Sequence, residues 1–78
     1  MIRELDTVVL THGIEEHGLE KGDIGAAVHC YRDDATFEVE FVTAEGRTIA
    51  LLTLSRADIR PIGSSEVLHV RELASVAA

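Results

Sequence analysis

Residues 36–42, TFEVEFV, alternate strictly between outward polar and inward apolar positions. Because successive side chains of a β-strand point to opposite faces, this pattern predicts a half-buried strand. The inward side chains are Phe37, Val39 and Phe41, and the outward acids are Glu38 and Glu40. Residues 43–47, TAEGR, have the length of a hairpin loop in which Gly46 takes a positive φ angle. The stretch therefore predicts a strand that turns directly into an antiparallel neighbour.

Four further stretches have the length and the β-branched or apolar content of strands. They are residues 5–10, 24–31, 48–54 and 59–62. In the second strand we expect Ile24, Ala26, Val28 and Cys30 to share one face and Gly25 to mark a bulge. Strand four is apolar on both sides, so periodicity leaves its buried face open, and Pro61 restricts the last strand to an edge.

The connections complete the predicted fold. Residues 13–23 hold three glycines and irregularly spaced apolar residues, which indicates a long folded loop after the first strand. Residues 55–58 predict one helical turn with Ser55 as its cap. The order of elements predicts an all-β, five-stranded SH3-like small barrel over residues 1–62. Residues 63–78 form a C-terminal tail that packs on the barrel or on a partner. A helix capped by Ser64 or Ser65 is favoured for it over a sixth strand.

Composition narrows the classes of partner. Seven basic against fourteen acidic residues give a net charge of −7, which repels phosphate backbones and anionic lipid. We therefore expect no nucleic-acid partner and no membrane association, and the acidity favours a basic protein surface. No long apolar run reaches the length of a membrane span, and Cys30 is a single thiol, so we expect a cytoplasmic location.

The residues of the predicted barrel also resemble a known family. The stretches are Glu4–Leu10, His17-Gly18-Leu19, Gly22-Asp23-Ile24-Gly25, Phe37–Val42, Leu52-Thr53-Leu54 and Asp58–Pro61. Over about residues 3 to 62 they resemble the bacterial family described as domain of unknown function 4926. The resemblance implies a small SH3-like barrel with no established activity and no catalytic residues to carry over. It leaves the tail unexplained.

One loop holds the densest group of candidate metal ligands, which are His12, Glu15, Glu16 and His17. Zinc-binding histidines on a helix stand four residues apart, whereas these stand five apart in a loop that contains glycine. A solvated acidic loop is therefore the simpler interpretation, and we predict no metal and no cofactor.

Two other pairs of residues raise the question of catalysis. Cys30 follows His29 directly, and neighbouring strand residues point to opposite faces, so a buried structural thiol is expected rather than a thiol dyad. Glu38 and Glu40 are read as solvent-facing acids. No nucleophile elbow, phosphate loop or dinucleotide fingerprint is present, so an enzymatic function has no support and a non-enzymatic one is favoured.

The leading hypothesis is a protein-binding module that acts by protein–protein association. It would be a homo-oligomer or the small acidic subunit of a two-protein pair, such as an immunity or antitoxin protein. A thin barrel cannot bury all of the apolar tail, and an exposed apolar patch usually marks a contact. The predicted partner-binding residues are Ile59, Ile62, Val67, Leu68, Val70 and Leu73. The alternatives are an accessory domain that binds a metal or small ligand through the His12–His17 loop, and a purely structural barrel.

Overall fold

A computed structural model describes residues 1–73 of the chain. Its strands are β1 (Thr7–Leu10), β2 (Ile24–Cys30), β3 (Thr36–Val42), β4 (Thr48–Ser55) and β5 (Ile59–Pro61), and one 3-10 helix spans Glu15–His17. The five strands form one antiparallel sheet in the order β4-β3-β2-β1-β5. The predicted all-β, five-stranded fold is confirmed. The sheet is not closed, because β4 and β5 are its two edges.

The core lies on one face of this sheet and takes side chains from every strand. In β3 the residues Phe37, Val39 and Phe41 are buried and the two glutamates point outward, as the alternation predicts. Gly46 has a φ of 86°, which confirms the predicted hairpin loop. The other core side chains are Val8, Leu10, Leu19, Ala27, Ala50, Leu54 and Ile59. Val9 is also buried, but on the opposite face of β1 from Val8 and Leu10.

Side chains of β3 cover one position of β2 so closely that this position requires glycine. A Cβ on Gly25 would lie 2.7 Å from Val39 Cγ1 and 2.8 Å from Phe41 Cε1, both of them core atoms. Gly25 is therefore a core position at which the main chain itself packs on the β3 side chains. The predicted bulge occurs at a different place, between Ala27 and His29.

The bulge changes which residues of β2 face the core. Ala27 lies opposite Val39, and Cys30 lies opposite Phe37, so both are on the core side. The predicted shared face of Ile24, Ala26, Val28 and Cys30 is therefore wrong, because an extra residue in the strand shifts the alternation. His29 lies opposite Glu38, and it therefore points away from the side that carries Cys30, as expected.

Residues 55–58 form a hydrogen-bonded turn instead of the predicted helical turn. The Asp58 carboxylate accepts hydrogen bonds from the Ser55 N–H at 2.8 Å and from the Ser55 hydroxyl at 3.0 Å. The Asp58 N–H in turn donates to the Ser55 carbonyl at 2.9 Å. Asp58 thus closes a tight turn into β5, where Pro61 lies on the sheet edge as predicted.

The tail forms neither a helix nor a sixth strand between residues 62 and 73. After a turn at Ser64-Ser65 the chain has no regular secondary structure, because its charged side chains bond to the body of the fold instead of to their own helical neighbours. The part of the tail prediction that concerns residues 74–78 lies outside the described residues. No helix within residues 1–73 is long and apolar enough to cross a membrane.

Candidate partner-binding surface

The first attachment of the tail is an ion pair just beyond β5. Both terminal nitrogens of Arg60 donate to the two oxygens of Glu66, each at 2.7 Å. The Glu66 carboxylate also accepts the N–H of Gly63, while the Glu66 N–H donates to the Gly63 carbonyl at 3.1 Å. The hydrogen bonds from Arg60, with that from Gly63, lower the pKa of Glu66 to about 2. The carboxylate therefore stays charged at any physiological pH and fixes the start of the tail.

The second attachment lies five residues further on, at Arg71. Its guanidinium donates to both Asp23 oxygens, at 2.8 Å and 2.5 Å, and to the Gly18 carbonyl at 2.9 Å, while Glu20 lies 3.5 Å away. This pair is mostly shielded from solvent, since the Arg71 and Asp23 side chains are 24% and 18% exposed. Burial raises the pKa of Asp23, but the hydrogen bonds from Arg71 and from the Glu20 N–H lower it more, so its pKa lies below the ordinary value.

Between the two attachments the tail presents apolar side chains to solvent. Val67 is 90% exposed, Leu68 67% and Val70 89%. We call these three residues the apolar strip. The strip is held at one end by a charged hydrogen bond to Arg60 of β5 and at the other by hydrogen bonds to Asp23 and Gly18 in the loop before β2. Its backbone position is therefore defined although its side chains touch little of the protein.

Two grooves run beside the apolar strip. The larger, of about 450 Å³, separates residues 69–73 from the β3–β4 hairpin. Its apolar walls are formed by Leu19, Ile24, Phe41, Val42, Ile49, Val70 and Leu73. The smaller, of about 200 Å³, lies between residues 66–69 and the region of Val9, Ile24, Arg60 and Ile62. The strip therefore forms a ridge between two recesses with partly apolar walls.

The residues predicted to bind a partner fall into three environments. Ile59 is 2% exposed and belongs to the core, so its side chain is closed to a partner in the folded protein. Ile62 and Leu73 are half-buried and line the small and the large groove respectively. The other three predicted residues are the apolar strip. The structure thus brings five of the six predicted residues onto one continuous surface.

The candidate metal ligands are not brought together. His12 is turned toward the β4–β5 turn, where its Nε2 lies 2.7 Å from Asp58 Oδ1 and its Nδ1 lies 2.9 Å from the Gly13 carbonyl. Glu15, Glu16 and His17 form the exposed 3-10 helix. Within residues 1–73 no group of three or more His, Cys, Asp or Glu side chains is placed to hold a metal ion.

The His12–Asp58 pair has a structural role. The hydrogen bond to Asp58, with that to the Gly13 carbonyl, raises the pKa of His12, and the same bond lowers the pKa of Asp58. The Thr11 N–H and hydroxyl donate to the carbonyls of Asp58 and Ala57 at the same place. The pair therefore ties the end of β1 to the turn that precedes β5.

The outward acids of β3 are engaged with neighbouring strands. Glu38 accepts hydrogen bonds from the Thr53 hydroxyl at 2.5 Å and the Tyr31 hydroxyl at 2.8 Å, and these lower the pKa of Glu38. Glu40 accepts the Thr48 hydroxyl at 2.6 Å. The two glutamates therefore act as hydrogen-bond acceptors on the outer face of the sheet.

Two features of the structure were not predicted from the sequence, and only the first belongs to this surface. The Arg71–Asp23 contact joins residues 48 positions apart, and no local sequence pattern predicts such a pair. The side chain of Leu51 is 57% exposed, but the sequence of β4 is apolar on both faces and did not indicate which of its side chains face solvent. Its position opposite Glu40 could have been derived only from the register of the hairpin.

Comparison with known proteins gives a family for the sheet and nothing for the tail. No curated protein and no solved structure matches the chain. A family model does match, and it spans residues 4–61, from the segment before β1 to the end of β5. The apolar strip and Arg71 lie outside the matched region. The chain therefore belongs to the family described as domain of unknown function DUF4926.

Proposed function

We propose that this chain is a non-enzymatic protein-binding module that contacts a protein partner through the apolar strip. The observation that carries the proposal is the combination of exposure and attachment. Val67 and Val70 are about nine-tenths exposed, yet on either side Glu66 is paired with Arg60 of β5 and Arg71 with Asp23 in the loop before β2. Exposed apolar patches mark contact sites, and a segment that is already ordered loses less entropy on binding.

The charge of the chain indicates the kind of partner. With a net charge of −7, the protein attracts basic surfaces and repels acidic ones, which accelerates encounter with a cationic protein. The larger groove, with apolar walls beside Val70, has room for an aliphatic or aromatic side chain of that partner. These features support the small acidic subunit of a two-protein pair, of the immunity or antitoxin type.

The same proposal includes a division of the chain and a location. Residues 1–62 would be an SH3-like barrel, and residues 63–78 the element that gives this member its partner. The strand order β4-β3-β2-β1-β5 and a core shared by all five strands support a strongly curled sheet. A cytoplasmic location is supported by the lone thiol of Cys30.

The test replaces the apolar strip without disturbing the fold. V67D/V70D changes two side chains that touch little of the protein, so its thermal midpoint should stay near that of the wild type. Tagged wild type and variant are compared by quantitative mass spectrometry of the proteins that co-purify from cells of origin. The matched control is L5N, because Leu5 is 78% exposed, lines neither groove beside the apolar strip and has a φ of 71° that asparagine tolerates.

We expect one basic protein to co-purify with wild type and with L5N. The amount that co-purifies with V67D/V70D should be at least tenfold lower. Direct binding of that protein, purified, should follow the same order. If every co-purifying protein is retained equally by all three chains, the apolar strip is not the contact surface.

A further inference from the structure

Strand β4 is an edge strand that lacks most of the usual protections. It pairs with β3 and with no other strand of residues 1–73, and beyond a register shift at Ile49 the pairing is regular from Ala50 to Ser55. Its eight residues, TIALLTLS, contain no charged residue and no proline, which are the features that normally block edge-to-edge pairing. Arginines stand just outside it, at Arg47 and Arg56.

The hydrogen bonds at one end of β4 show which backbone groups are free. The Arg56 N–H donates to the Ala35 carbonyl at 3.2 Å, so the backbone N–H and C=O groups of residue 56 point toward β3. Because the direction of these backbone groups alternates along a strand, those of residue 55 point away from β3. The Ser55 N–H accordingly donates to the Asp58 carboxylate at 2.8 Å.

Continuing the alternation assigns the rest of the edge. Leu52 and Leu54 point their backbone groups toward β3, whereas Leu51 and Thr53 point theirs outward. Within the described residues, nothing accepts or donates to these outward groups. Leu51 and Thr53 are therefore the two residues through which a further strand can add to the sheet.

We propose that two copies of this chain pair antiparallel along β4, with Leu51 of each copy opposite Thr53 of the other. This register uses the free N–H and C=O groups of both residues. It also places Leu52 opposite Leu52 of the second copy on the two-fold axis and Ala50 opposite Leu54. The two sheets then form one continuous sheet, and the half-buried side chain of Leu52 gains an apolar neighbour.

The register is also compatible with the charge of the protein. Two copies of a chain with a net charge of −7 repel each other, so their contact must keep carboxylates apart or offset them. In this register no two like charges stand directly opposite. The two arginines that flank β4, Arg47 and Arg56, lie outside the paired residues 50–54.

This self-association is separate from the proposed partner surface. Leu51 and Thr53 line neither of the grooves beside the apolar strip. The two surfaces can therefore be tested by different substitutions, and failure of one leaves the other standing.

The experiment uses charge pairs that report the register. In L51K/T53K each new lysine faces a lysine of the second copy, whereas in L51K/T53E each lysine faces a glutamate. Like charges directly opposite destabilise a pair of strands and opposite charges stabilise it. The molar mass of full-length wild type and both variants is measured by light scattering across a concentration range. Amide hydrogen exchange at residues 51 and 53 is followed alongside, and V67D/V70D is the control that leaves β4 intact.

We expect a wild-type dimer whose dissociation constant rises about tenfold or more in L51K/T53K and returns toward wild type in L51K/T53E. General repulsion predicts the opposite for L51K/T53K, because that variant is less acidic than the wild type. Slow exchange of amides 51 and 53 in the dimer, and an unchanged dimer in V67D/V70D, complete the expected result. A wild type that stays monomeric, two folded variants that associate equally, or fast exchange of both amides in a dimer would overturn the proposal.

Discussion

The attachment of the tail through Arg71 and Asp23 can be measured as a coupling free energy. Replacing Arg71 by methionine keeps the aliphatic stem and removes the guanidinium, which donates to Asp23 at 2.8 Å and 2.5 Å. The side chains are about one-fifth exposed, which places the pair between exposed ion pairs, at about 0.2–1 kcal/mol, and buried ones, whose disruption costs about 3–5 kcal/mol. We therefore expect a coupling of about 1–2 kcal/mol.

The assay is urea unfolding of wild type, Arg71→Met, Asp23→Ala and the double variant. A double-mutant cycle is needed because Asp23 also accepts the Glu20 N–H at 2.8 Å, and that loss cancels in the cycle. The matched control is the cycle of Asp23→Ala with Arg47→Met, since Arg47 makes no ion pair among residues 1–73.

The expected free energy also has a thermal and a pH signature. One kcal/mol shifts the midpoint of a domain this size by about 4–8 °C, so Arg71→Met should melt clearly below wild type and Arg47→Met should not. Because the pKa of Asp23 is lowered, its contribution is present above the ordinary carboxyl pKa and is lost as pH falls through the folded value. A coupling below about 0.3 kcal/mol at neutral pH would show that Arg71 does not hold the tail through Asp23, because the two side chains would then act independently.

Three further predictions concern the body of the fold. Gly25→Ala should destabilise the protein by about 1–3 kcal/mol in a denaturant titration, because the new Cβ overlaps core atoms, and an unchanged midpoint would show that β2 does not pack as described. The imidazole of His12, followed by NMR, should titrate above its ordinary pKa and return toward that value in Asp58→Asn. The stability that His12 contributes should accordingly be full below about pH 6.5 and fade as pH rises through its raised pKa; equal titration in both proteins would contradict this. Burial, with nearby carboxylates, raises the pKa of Cys30, so iodoacetamide should label the native protein much more slowly than the protein in urea, and equal rates would show an exposed thiol.

The sheet could be predicted where local patterns and tertiary structure agree. Strand β3 and its hairpin follow from a strict period of two and from one glycine at positive φ, both of which act over a few residues. Strand β2 could not be resolved in the same way. Its bulge shifts the core face from Val28 to Ala27 and Cys30, and a bulge is fixed by the neighbouring strand and not by its own residues.

The conformation of the tail and the orientation of His12 are set by contacts with residues that are distant in sequence. A helix looked favourable for the tail of residues 63–78 because its serines and Glu66 suit a helix start, but in its described part Glu66 and Arg71 bond to Arg60 and Asp23 instead of to helical neighbours. His12 likewise bonds to Asp58, 46 residues away, so its grouping with Glu15 and Glu16 in sequence did not become a grouping in space. The exposure of the apolar strip was predicted, because a small sheet cannot cover every apolar residue of the chain.

Photo-crosslinking from the apolar strip itself shows directly whether this strip contacts a protein partner. A benzoylphenylalanine is placed at position 67, or at position 5 as a control, in the full-length chain expressed in its own cells, and the irradiated adducts are identified by mass. We expect an adduct of one defined protein from position 67 that is absent from position 5. Adducts that are the same from both positions, or none from position 67, would contradict the claim that the apolar strip is where this protein meets its partner.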